Sequence, residues 1–402
     1  MPHFTEGYRM SSESVVILAA KRTPIGAFQG VFALTTAPLL GATAIKAALA
    51  AAGLPADAVQ EVIRGCVLPA GLGQAPARQA ALGAGLPNSV PTTTINKMCG
   101  SAMRAVMMAA DALRTGDIDF AVAGGLESMT NAPYLLPKAR SGYRLGHGEI
   151  IDHMFYDGLQ SPWDGQLMGC FAENTSQKYG FTREQQDAFA AESVRRSLQA
   201  VESGAFAAEV ATVTFKGRKG DTTVDKDDTP FTCDLAKIPQ LKPAFRKDGT
   251  GTAASSSSIA DGAAALVLAR GAAAQAHGLK PIARIVAYAS HAHAPEWFTT
   301  APVGAIEKVL KKAGWRADQV DLYEVNEAFA AVAMAAIHDL KLDPAKVNVN
   351  GGACALGHPI GATGARILTT LLAAMLARGG KRGVASLCIG GGEATAVAVE
   401  LV

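Results

Sequence analysis

The chain has 402 residues, of which 49% are hydrophobic and 6% aromatic, and its formal net charge at pH 7 is +2. This length and apolar content allow a folded protein with substantial cores, while the near-neutral charge and the few aromatic residues argue against nucleic acid as a partner. No apolar run reaches the roughly 20 residues that a membrane-spanning helix needs, and the six cysteines lack disulfide-framework or zinc-site spacing, which favours a cytoplasmic protein without a metal.

The first predicted element after the polar N-terminal stretch is a helix that ends at Gly53 and leads through a turn into the β-rich stretch "VQEVIRGCVLP". The same pattern returns where Gly314 ends a helix and "VDLYEVNEAF" follows. Residues 44–59 and 305–320 share eight identities at a constant offset of 261 residues. We infer a duplication of the fold, and the alternative is chance similarity in an alanine-rich chain.

The next predicted strand, "VPTTTI", leads into a helix that begins beside Cys99. A thiol at a helix N-terminus lies near unpaired N–H groups and the positive end of the helix dipole, and both favour the thiolate. Cys99 is therefore a candidate nucleophile. The alternative interpretation is a small residue that fills the core.

Residues 131–254 differ in character from their surroundings, with more proline, more charge and irregular sequence. We interpret this stretch as an inserted subdomain of loops with one or two helices, the clearest being "TREQQDAFAAESVRRSLQAVESG". Its basic cluster "FKGRKGD" is more typical of a solvated loop between two strands than of a phosphate contact.

The second repeat carries the other candidate residues. Asn326 ends a predicted strand as a neutral hydrogen-bond donor, and the β-like run "KVNVN" precedes a glycine-dense turn that contains His358. The repeat offset places Gly361 of this turn on Gly100, so His358 occupies a place related to that of Cys99. If the halves pack about a pseudo-twofold axis, His358 is a base for the Cys99 thiol, and the alternative is a loop histidine satisfied by backbone hydrogen bonds.

The last predicted strand ends in Cys388 and opens into three glycines that begin with Gly390. Their backbone N–H groups can approach a developing oxyanion without side-chain obstruction. The alternation of short apolar strands with helices predicts parallel sheets covered on both faces, in two similar α/β halves.

Five motifs, in this order, give the chain a resemblance to the thiolase family over nearly its full length: "INKMCGSAMRA", "AGGLESMTNAPY", "NEAFAA", "NGGACALGHPIGATGARI" and "CIGGGEA". The resemblance implies an α/β thiolase fold, with duplicated βαβαβαββ halves in a five-layered α/β/α/β/α core and an inserted loop domain. It divides the chain into an N-terminal half (12–130 and about 255–280), a loop domain (131–254) and a C-terminal half (281–402).

The same resemblance implies a mechanism. Cys99 accepts an acyl group while His358 takes its proton, Cys388 removes the α-proton of a second acetyl-CoA, and Asn326 holds a water that stabilises the enolate with His358. The N–H groups of Cys99 and Gly390 bind the oxyanion. Two acetyl-CoA then give acetoacetyl-CoA and CoA, with coenzyme A as substrate and product and no other cofactor, in a homo-oligomer (dimer or tetramer) of fatty acid metabolism.

Seven further residues match positions that line the pantetheine or acyl pocket of thiolases, and each has core packing as its alternative: Ser257, Leu159, Met168, Ala244, Phe245, Phe329 and Ile360. The family's "GNASG" reads "ASSSS" around Ser257. Phe231 stands where many thiolases have an arginine near the nucleotide of CoA, and Leu167 replaces a histidine of acetoacetyl-type enzymes.

Three alternatives to acetoacetyl-CoA synthesis remain open from the sequence. The first is a degradative 3-ketoacyl-CoA thiolase of broader chain length. The second is a β-ketoacyl synthase or hydroxymethylglutaryl-CoA-type condensing enzyme, against which Cys388 argues. The third is a non-catalytic acyl-CoA-binding or lipid-binding protein, which would not need the retained thiols.

Overall fold

A computed structural model describes residues 14–217 and 220–402 of the chain. The first two residues of the predicted N-terminal half (12 and 13) and two residues of the predicted basic loop (218 and 219) lie outside the described residues. Within the described part, no helix combines the length and the apolar character that crossing a bilayer requires.

The secondary structure alternates between short strands and helices. The strands are β1 (Val15–Arg22), β2 (Gly26–Ala27), β3 (Glu61–Gly65), β4 (Thr92–Ile95), β5 (Phe120–Ser128), β6 (Tyr134–Leu135), β7 (Ile151–Asp152), β8 (Val213–Gly217), β9 (Gly220–Val224), β10 (Ala260–Arg270), β11 (Ala283–Ala292), β12 (Leu322–Val325), β13 (Arg382–Ile389) and β14 (Glu393–Leu401). The helices are α1 (Ala37–Ala52), α2 (Pro76–Gly83), α3 (Ser101–Thr115), α4 (Met168–Tyr179), α5 (Arg183–Glu202), α6 (Gly271–Ala276), α7 (Ala301–Ala313), α8 (Ala330–Leu340), α9 (Ala353–Leu356) and α10 (Thr363–Arg378).

The two halves have the same sheet topology. In the first half the order across the sheet is β4-β3-β5-β10-β1, and in the second it is β12-β13-β14-β11, with Val347 bridging Tyr323 on the outer side of β12. Numbered along each half, both orders read third, second, fourth, fifth, first. A short antiparallel contact between β1 and β11, at Val16 and Ile17, joins the two sheets edge to edge. This shared order supports the duplication inferred from the sequence.

The repeated segments also share their local structure. Helices α1 and α7 both end at a glycine in the left-handed conformation, Gly53 (φ +64°) and Gly314 (φ +70°). A single 3₁₀ turn follows in each, at Ala56–Ala58 and Ala317–Gln319. Glycine adopts positive φ without steric cost, so the same residue ends both helices.

Two sequence predictions about the strands are wrong in part. The sheets are mixed, because β10 and β14 run antiparallel to their neighbours. Only the glycine-rich turn between Ile389 and Glu393 separates β13 from β14, and a connection this short joins antiparallel strands alone. β13 also ends at Ile389, one residue after Cys388.

The predicted strand "KVNVN" forms only the bridge at Val347, because Asn348 has φ +49° and breaks the extended backbone. The side chain of Asn348 replaces the backbone hydrogen bonds that a regular strand would make to β12. Its Oδ1 accepts from the N–H of Val325 at 2.8 Å, and its Nδ2 donates to the carbonyl of Val325 at 2.8 Å. Asparagine is among the residues that tolerate this conformation best.

The apolar side chains form the five layers that the thiolase resemblance implies. Helices α1 and α2 cover the outer face of the first sheet, and α7 and α8 cover that of the second. Helices α3 and α10 lie between the sheets in the central core. They approach closely at Gly364, where a Cβ atom would lie 2.5 Å from the backbone nitrogen of Met103. The N-termini of these two helices therefore meet between the halves.

The predicted loop region, residues 131–254, contains the β6-β7 ribbon, a π-helical segment (Met154–Leu159), helices α4 and α5, and the β8-β9 hairpin. The predicted helix is α5, which begins after a capping box between Thr182 and Gln185. Buried Arg22 of β1 connects this region to the first sheet, since it donates to Glu209 at 2.5 Å and to Asp227 at 2.6 Å.

Candidate active site

Cys99 lies in the turn that connects β4 to α3, one residue before the helix N-cap. Its neighbour Met98 has φ +47°, a rare conformation for a side chain of this size. Two side chains hold this turn: Oδ1 of Asn96 accepts from the N–H of Met98 at 2.8 Å, and the hydroxyl of Ser101 donates to the carbonyl of Met98 at 2.6 Å. Backbone strain of this kind persists only where the surroundings impose it, as at functional sites.

The turn between β13 and β14 packs directly against Cys99. The backbone N–H of Gly390 lies close enough to the Cys99 thiol to lower its pKa, and a Cβ atom on Gly100 would lie 2.3 Å from Cδ1 of Ile389. Cys388 is fully buried, and burial is the main cause of its raised pKa. The charge of nearby Cys99 raises this pKa further. The structure thus brings Cys99, Cys388 and Gly390 together across the two halves.

The Cys99 thiol is not acidified, contrary to the sequence-based expectation. Burial raises its pKa to about 11, and the negative charge of Glu127 adds to the rise. The N–H groups of Gly390 and of Cys99 itself lower the pKa by less than burial raises it. A neutral thiol at rest needs a base before it can act as a nucleophile.

His358 lies in the loop between α9 and α10, and its ring is buried. Its Nδ1 is 2.6 Å from Oγ1 of Thr363, and that hydroxyl donates to the carbonyl of Pro359 at 2.9 Å. The hydroxyl has one proton, so both contacts are satisfied only when Nδ1–H of His358 donates to Thr363. Nε2 is then the unprotonated nitrogen.

Nε2 of His358 has no hydrogen-bond partner among the described residues. Burial, helped by the positive charge of Arg366, lowers the pKa of His358 to about 3. The imidazole is therefore neutral at physiological pH, with a free lone pair on Nε2. A neutral base with an unused lone pair is what the Cys99 thiol requires.

Asn326 follows β12 directly and lies at the same sheet edge as Cys388. Its backbone N–H donates at 3.0 Å to the carbonyl of Ser386, two residues before Cys388 on the parallel strand β13. The side chain is buried, and within the described chain neither Oδ1 nor Nδ2 has a partner. An amide this deeply buried and unpaired is suited to hold a small molecule such as water.

One cavity of about 220 Å³ opens beside His358. Six of the seven pocket residues expected from the sequence line it: Leu159, Met168, Phe245, Ser257, Phe329 and Ile360. Ala244 is not part of its lining, although it adjoins Phe245. Leu167 lines the cavity too, which makes its wall apolar.

A second cavity, of about 470 Å³, shares Met168 with the first as a lining residue. Met98, which precedes Cys99 in the chain, and Gly390, whose backbone N–H lies near the Cys99 thiol, form part of its wall together with Tyr156 and Trp163. The sequence did not predict this cavity, because residues 156 to 165 belong to an irregular segment without periodicity. Phe231 is about half exposed and borders neither cavity.

Sequence reasoning also missed two buried carboxylates at the site. Glu327 accepts from Ser193 Oγ at 2.6 Å and from Asn348 Nδ2 at 2.8 Å, directly beside Asn326. Glu127 accepts backbone N–H groups from both halves. A charged residue within the otherwise apolar strand "FAVAGGLES" was the available signal for Glu127. In the described chain, no group of His, Cys, Asp or Glu has the arrangement of a metal site, and the cysteines are free.

Comparison with known proteins gives a consistent result over the whole chain. Residues 15–272 match the thiolase N-terminal domain and residues 279–401 match the thiolase C-terminal domain. The chain is 50% identical to an acetyl-CoA acetyltransferase of Pseudomonas aeruginosa, covering 96% of this chain and 98% of the relative. It is 49% identical to acetyl-CoA acetyltransferase 2 of Arabidopsis thaliana, with full coverage of both chains. The crystal structure of the Bacillus anthracis acetyl-CoA acetyltransferase superposes with a TM-score of 0.95 at 42% identity, covering 97% of this chain and 99% of that one.

Proposed function

Because the chain belongs to the thiolase family, we propose that it catalyses the reversible Claisen condensation of two acetyl-CoA to acetoacetyl-CoA and CoA, through an acyl-enzyme on Cys99. The observation that carries this proposal is the meeting of Cys99, Cys388 and Gly390 across the halves, beside a cavity lined by His358. The full-length similarity to several acetyl-CoA acetyltransferases supports the substrate.

In the first half-reaction, Nε2 of His358 takes the proton of the Cys99 thiol, and the thiolate attacks the carbonyl carbon of acetyl-CoA. The N–H groups of Cys99 and Gly390 stabilise the tetrahedral oxyanion. The C–S bond to CoA breaks, and the leaving CoA thiolate takes the proton of Cys388. The enzyme then carries an acetyl group on Cys99, an imidazolium at His358 and a thiolate at Cys388.

In the second half-reaction, the Cys388 thiolate removes an α-proton from a second acetyl-CoA. A thiolate whose pKa is raised by burial is a strong base, as a weakly acidic α-proton requires. The imidazolium of His358 and a water held by Asn326 stabilise the enolate oxygen. The α-carbon attacks the acetyl group on Cys99, and the departing Cys99 thiolate recovers its proton from His358, which releases acetoacetyl-CoA.

The direct test is covalent labelling. The protein is incubated with acetyl-CoA, quenched in acid and digested, and the peptides are weighed by mass spectrometry. We expect one acetyl group on Cys99 in the parental protein and in the control Cys233→Ala, which removes a half-buried thiol outside the site. Cys99→Ala should lose the label, whereas Cys388→Ala should keep it and lose condensation by about 10²-fold or more.

Two outcomes would contradict the proposal. An acetyl group on a different residue would remove Cys99 from its role, and near-parental condensation by Cys388→Ala would remove Cys388. Absence of any acetyl group would instead favour a non-catalytic acyl-CoA-binding protein.

A degradative 3-ketoacyl-CoA thiolase of broader chain length is a second candidate, because Leu167 makes the first cavity apolar and the second cavity offers further space. The test compares kcat/KM for acetoacetyl-CoA and 3-ketodecanoyl-CoA. Each buried CH₂ contributes about 0.8 kcal/mol, so a profile that rises with chain length supports this candidate and one that peaks at acetoacetyl-CoA opposes it. Leu167→His should depress the longer substrate selectively, with exposed Leu34→His as the control.

The proposal extends to a cytoplasmic homo-oligomer, a dimer or tetramer, that acts in fatty acid metabolism. Several large apolar side chains are exposed in the connection between β6 and β7, including Leu145 at 97% and Ile150 at 65% exposure. Such side chains favour a contact between subunits. Light scattering of the parental protein and of Leu145→Asp tests it: we expect the oligomer in the first and smaller species in the second.

A further inference from the structure

We propose that Glu127 is a positioning residue for the condensation: its carboxylate holds the loop that carries His358 in place against the first half of the molecule. This inference rests on the roles proposed above for Cys99 and His358. It concerns a buried carboxylate that has no part in the proton transfers described there.

The hydrogen bonds of Glu127 connect loops from both halves. The residue lies on β5 and is fully buried. Its Oε2 accepts from the N–H of Val67 at 2.9 Å and from the N–H of Gly361 at 2.8 Å, while its Oε1 accepts from the N–H of Leu68 at 3.1 Å. Val67 and Leu68 follow β3 of the first half, and Gly361 stands three residues after His358. One carboxylate therefore joins the His358 loop to the opposite half.

The packing around Gly361 leaves this loop no room to shift. A Cβ atom on Gly361 would lie 2.4 Å from Oε2 of Glu127 and 3.0 Å from Cα of Cys66. A Cβ atom on Gly125 would lie 2.0 Å from the carbonyl oxygen of Gly361. Contacts this short require glycine on both sides, so the loop position depends on the groups it touches.

The duplication gives Glu127 a counterpart. At the offset of 261 residues that relates the repeats, Glu127 falls on Cys388 and Gly361 falls on Gly100. In the second half, Cys388 at the end of the fourth strand faces Cys99, at the entrance of α3. In the first half, Glu127 at the end of the equivalent strand faces Gly361, at the entrance of α10. The same position in the repeat thus carries the proposed base Cys388 in the second half and, in the first half, the carboxylate of Glu127 that holds the His358 loop.

Only a carboxylate at position 127 can accept all three of these backbone hydrogen bonds. Both oxygens of Glu127 accept N–H groups, and an amide has only one acceptor oxygen. In Glu127→Gln the NH₂ group must face either the N–H of Leu68 or the N–H groups of Val67 and Gly361. Either orientation leaves a buried donor unpaired and disturbs the contact that holds the His358 loop against the first half. Displacement of the base by about 1 Å from the Cys99 thiol is sufficient to slow the reaction on the order of 10²-fold.

The test compares Glu127→Gln with a matched control, Asp321→Asn. Oδ2 of Asp321 also accepts two backbone N–H groups, from Lys381 at 2.7 Å and Arg382 at 2.8 Å, but at the opposite end of β13 from Cys388. We measure the single-turnover rate of Cys99 acetylation by acetyl-CoA, the steady-state kcat and KM, and the thermal midpoint of each variant.

We expect Glu127→Gln to lower the acetylation rate and kcat by about 10²-fold with KM changed less than about threefold, because the base moves and the acyl-CoA cavity does not. Asp321→Asn should lose thermal stability and keep the parental rate. A folded Glu127→Gln that acetylates Cys99 at the parental rate overturns the inference. Failure of the parental protein to acetylate Cys99 would instead overturn the proposed function.

Gly361→Ala tests the same contact from the other side, should Glu127→Gln not fold. Its added methyl group displaces the carboxylate or the loop, so the acetylation rate should fall and the double variant should lose less than the sum of the two single losses. A parental rate in folded Gly361→Ala overturns the inference.

Discussion

Nδ1 of His358 lies 2.6 Å from Oγ1 of Thr363, which stands on the first turn of α10, the helix that the His358 loop enters. The proposed base and the hydroxyl that orients its ring therefore lie only five residues apart in the chain. Cys99, the thiol from which His358 is proposed to take a proton, belongs to the other half of the chain. Correct placement of the imidazole thus depends on how α3 and α10 meet between the sheets.

Thr363→Val tests this orientation, because valine keeps the shape of threonine and removes the acceptor for Nδ1–H. We expect kcat to fall by about tenfold or more, since general-base catalysis contributes roughly 10²–10⁴-fold and only its orientation is impaired. Thr363→Ser keeps the hydroxyl and should retain most of the activity. Equal kcat values for the valine and serine variants would show that the hydroxyl has no part in orienting the base.

The raised pKa of Cys99 predicts how the free thiol reacts. With a pKa of about 11, the thiolate fraction increases about tenfold per pH unit between pH 7 and pH 9. Alkylation by iodoacetamide, followed at the Cys99 peptide by mass spectrometry, should therefore accelerate on the order of 10²-fold over this range. A rate that is already constant from pH 7 upward would indicate an acidified thiol, as the sequence alone had suggested.

Stability in acid reports on His358. Its pKa is lowered from 6.5 to about 3 in the folded protein, so the unfolded chain binds the proton more readily between these values. The free energy of unfolding therefore decreases as the pH falls from about 6.5 towards 3, because the unfolded chain gains a proton at His358 that the folded protein does not. Relative to pH 7.5, we expect the parental protein to lose about 3 kcal/mol more than His358→Asn at pH 4.5, measured by urea unfolding. Equal losses would show that the histidine is not held neutral.

The meeting of the two central helices can be tested at Gly364. Gly364→Ala places a methyl group against the backbone of Met103, and overpacking of this kind costs about 1–3 kcal/mol. Gly314→Ala has free space around it and incurs only the strain of positive φ, about 1 kcal/mol. We expect the larger fall in thermal midpoint, together with a fall in kcat, for Gly364→Ala. The opposite order would contradict the close contact.

Local patterns in the sequence were sufficient to predict the ends of two helices, the duplication and the family. The matched helices ending at Gly53 and Gly314 revealed the duplication, because helix C-caps depend on local backbone conformation. The motifs around Cys99, His358 and Cys388 identified the family. The strand at Asn348 was predicted wrongly, since its side chain replaces the ladder through contacts with Val325 that are distant in sequence.

By itself, the sequence determined the repeat, the thiolase family and the residue types available for chemistry, since these follow from spacing and residue identity. Only the tertiary structure decided the protonation states, because a pKa depends on burial and on charges from distant segments. It reversed the expected acidity of Cys99, selected the free nitrogen of His358, and placed Glu127 of one half against Gly361 of the other.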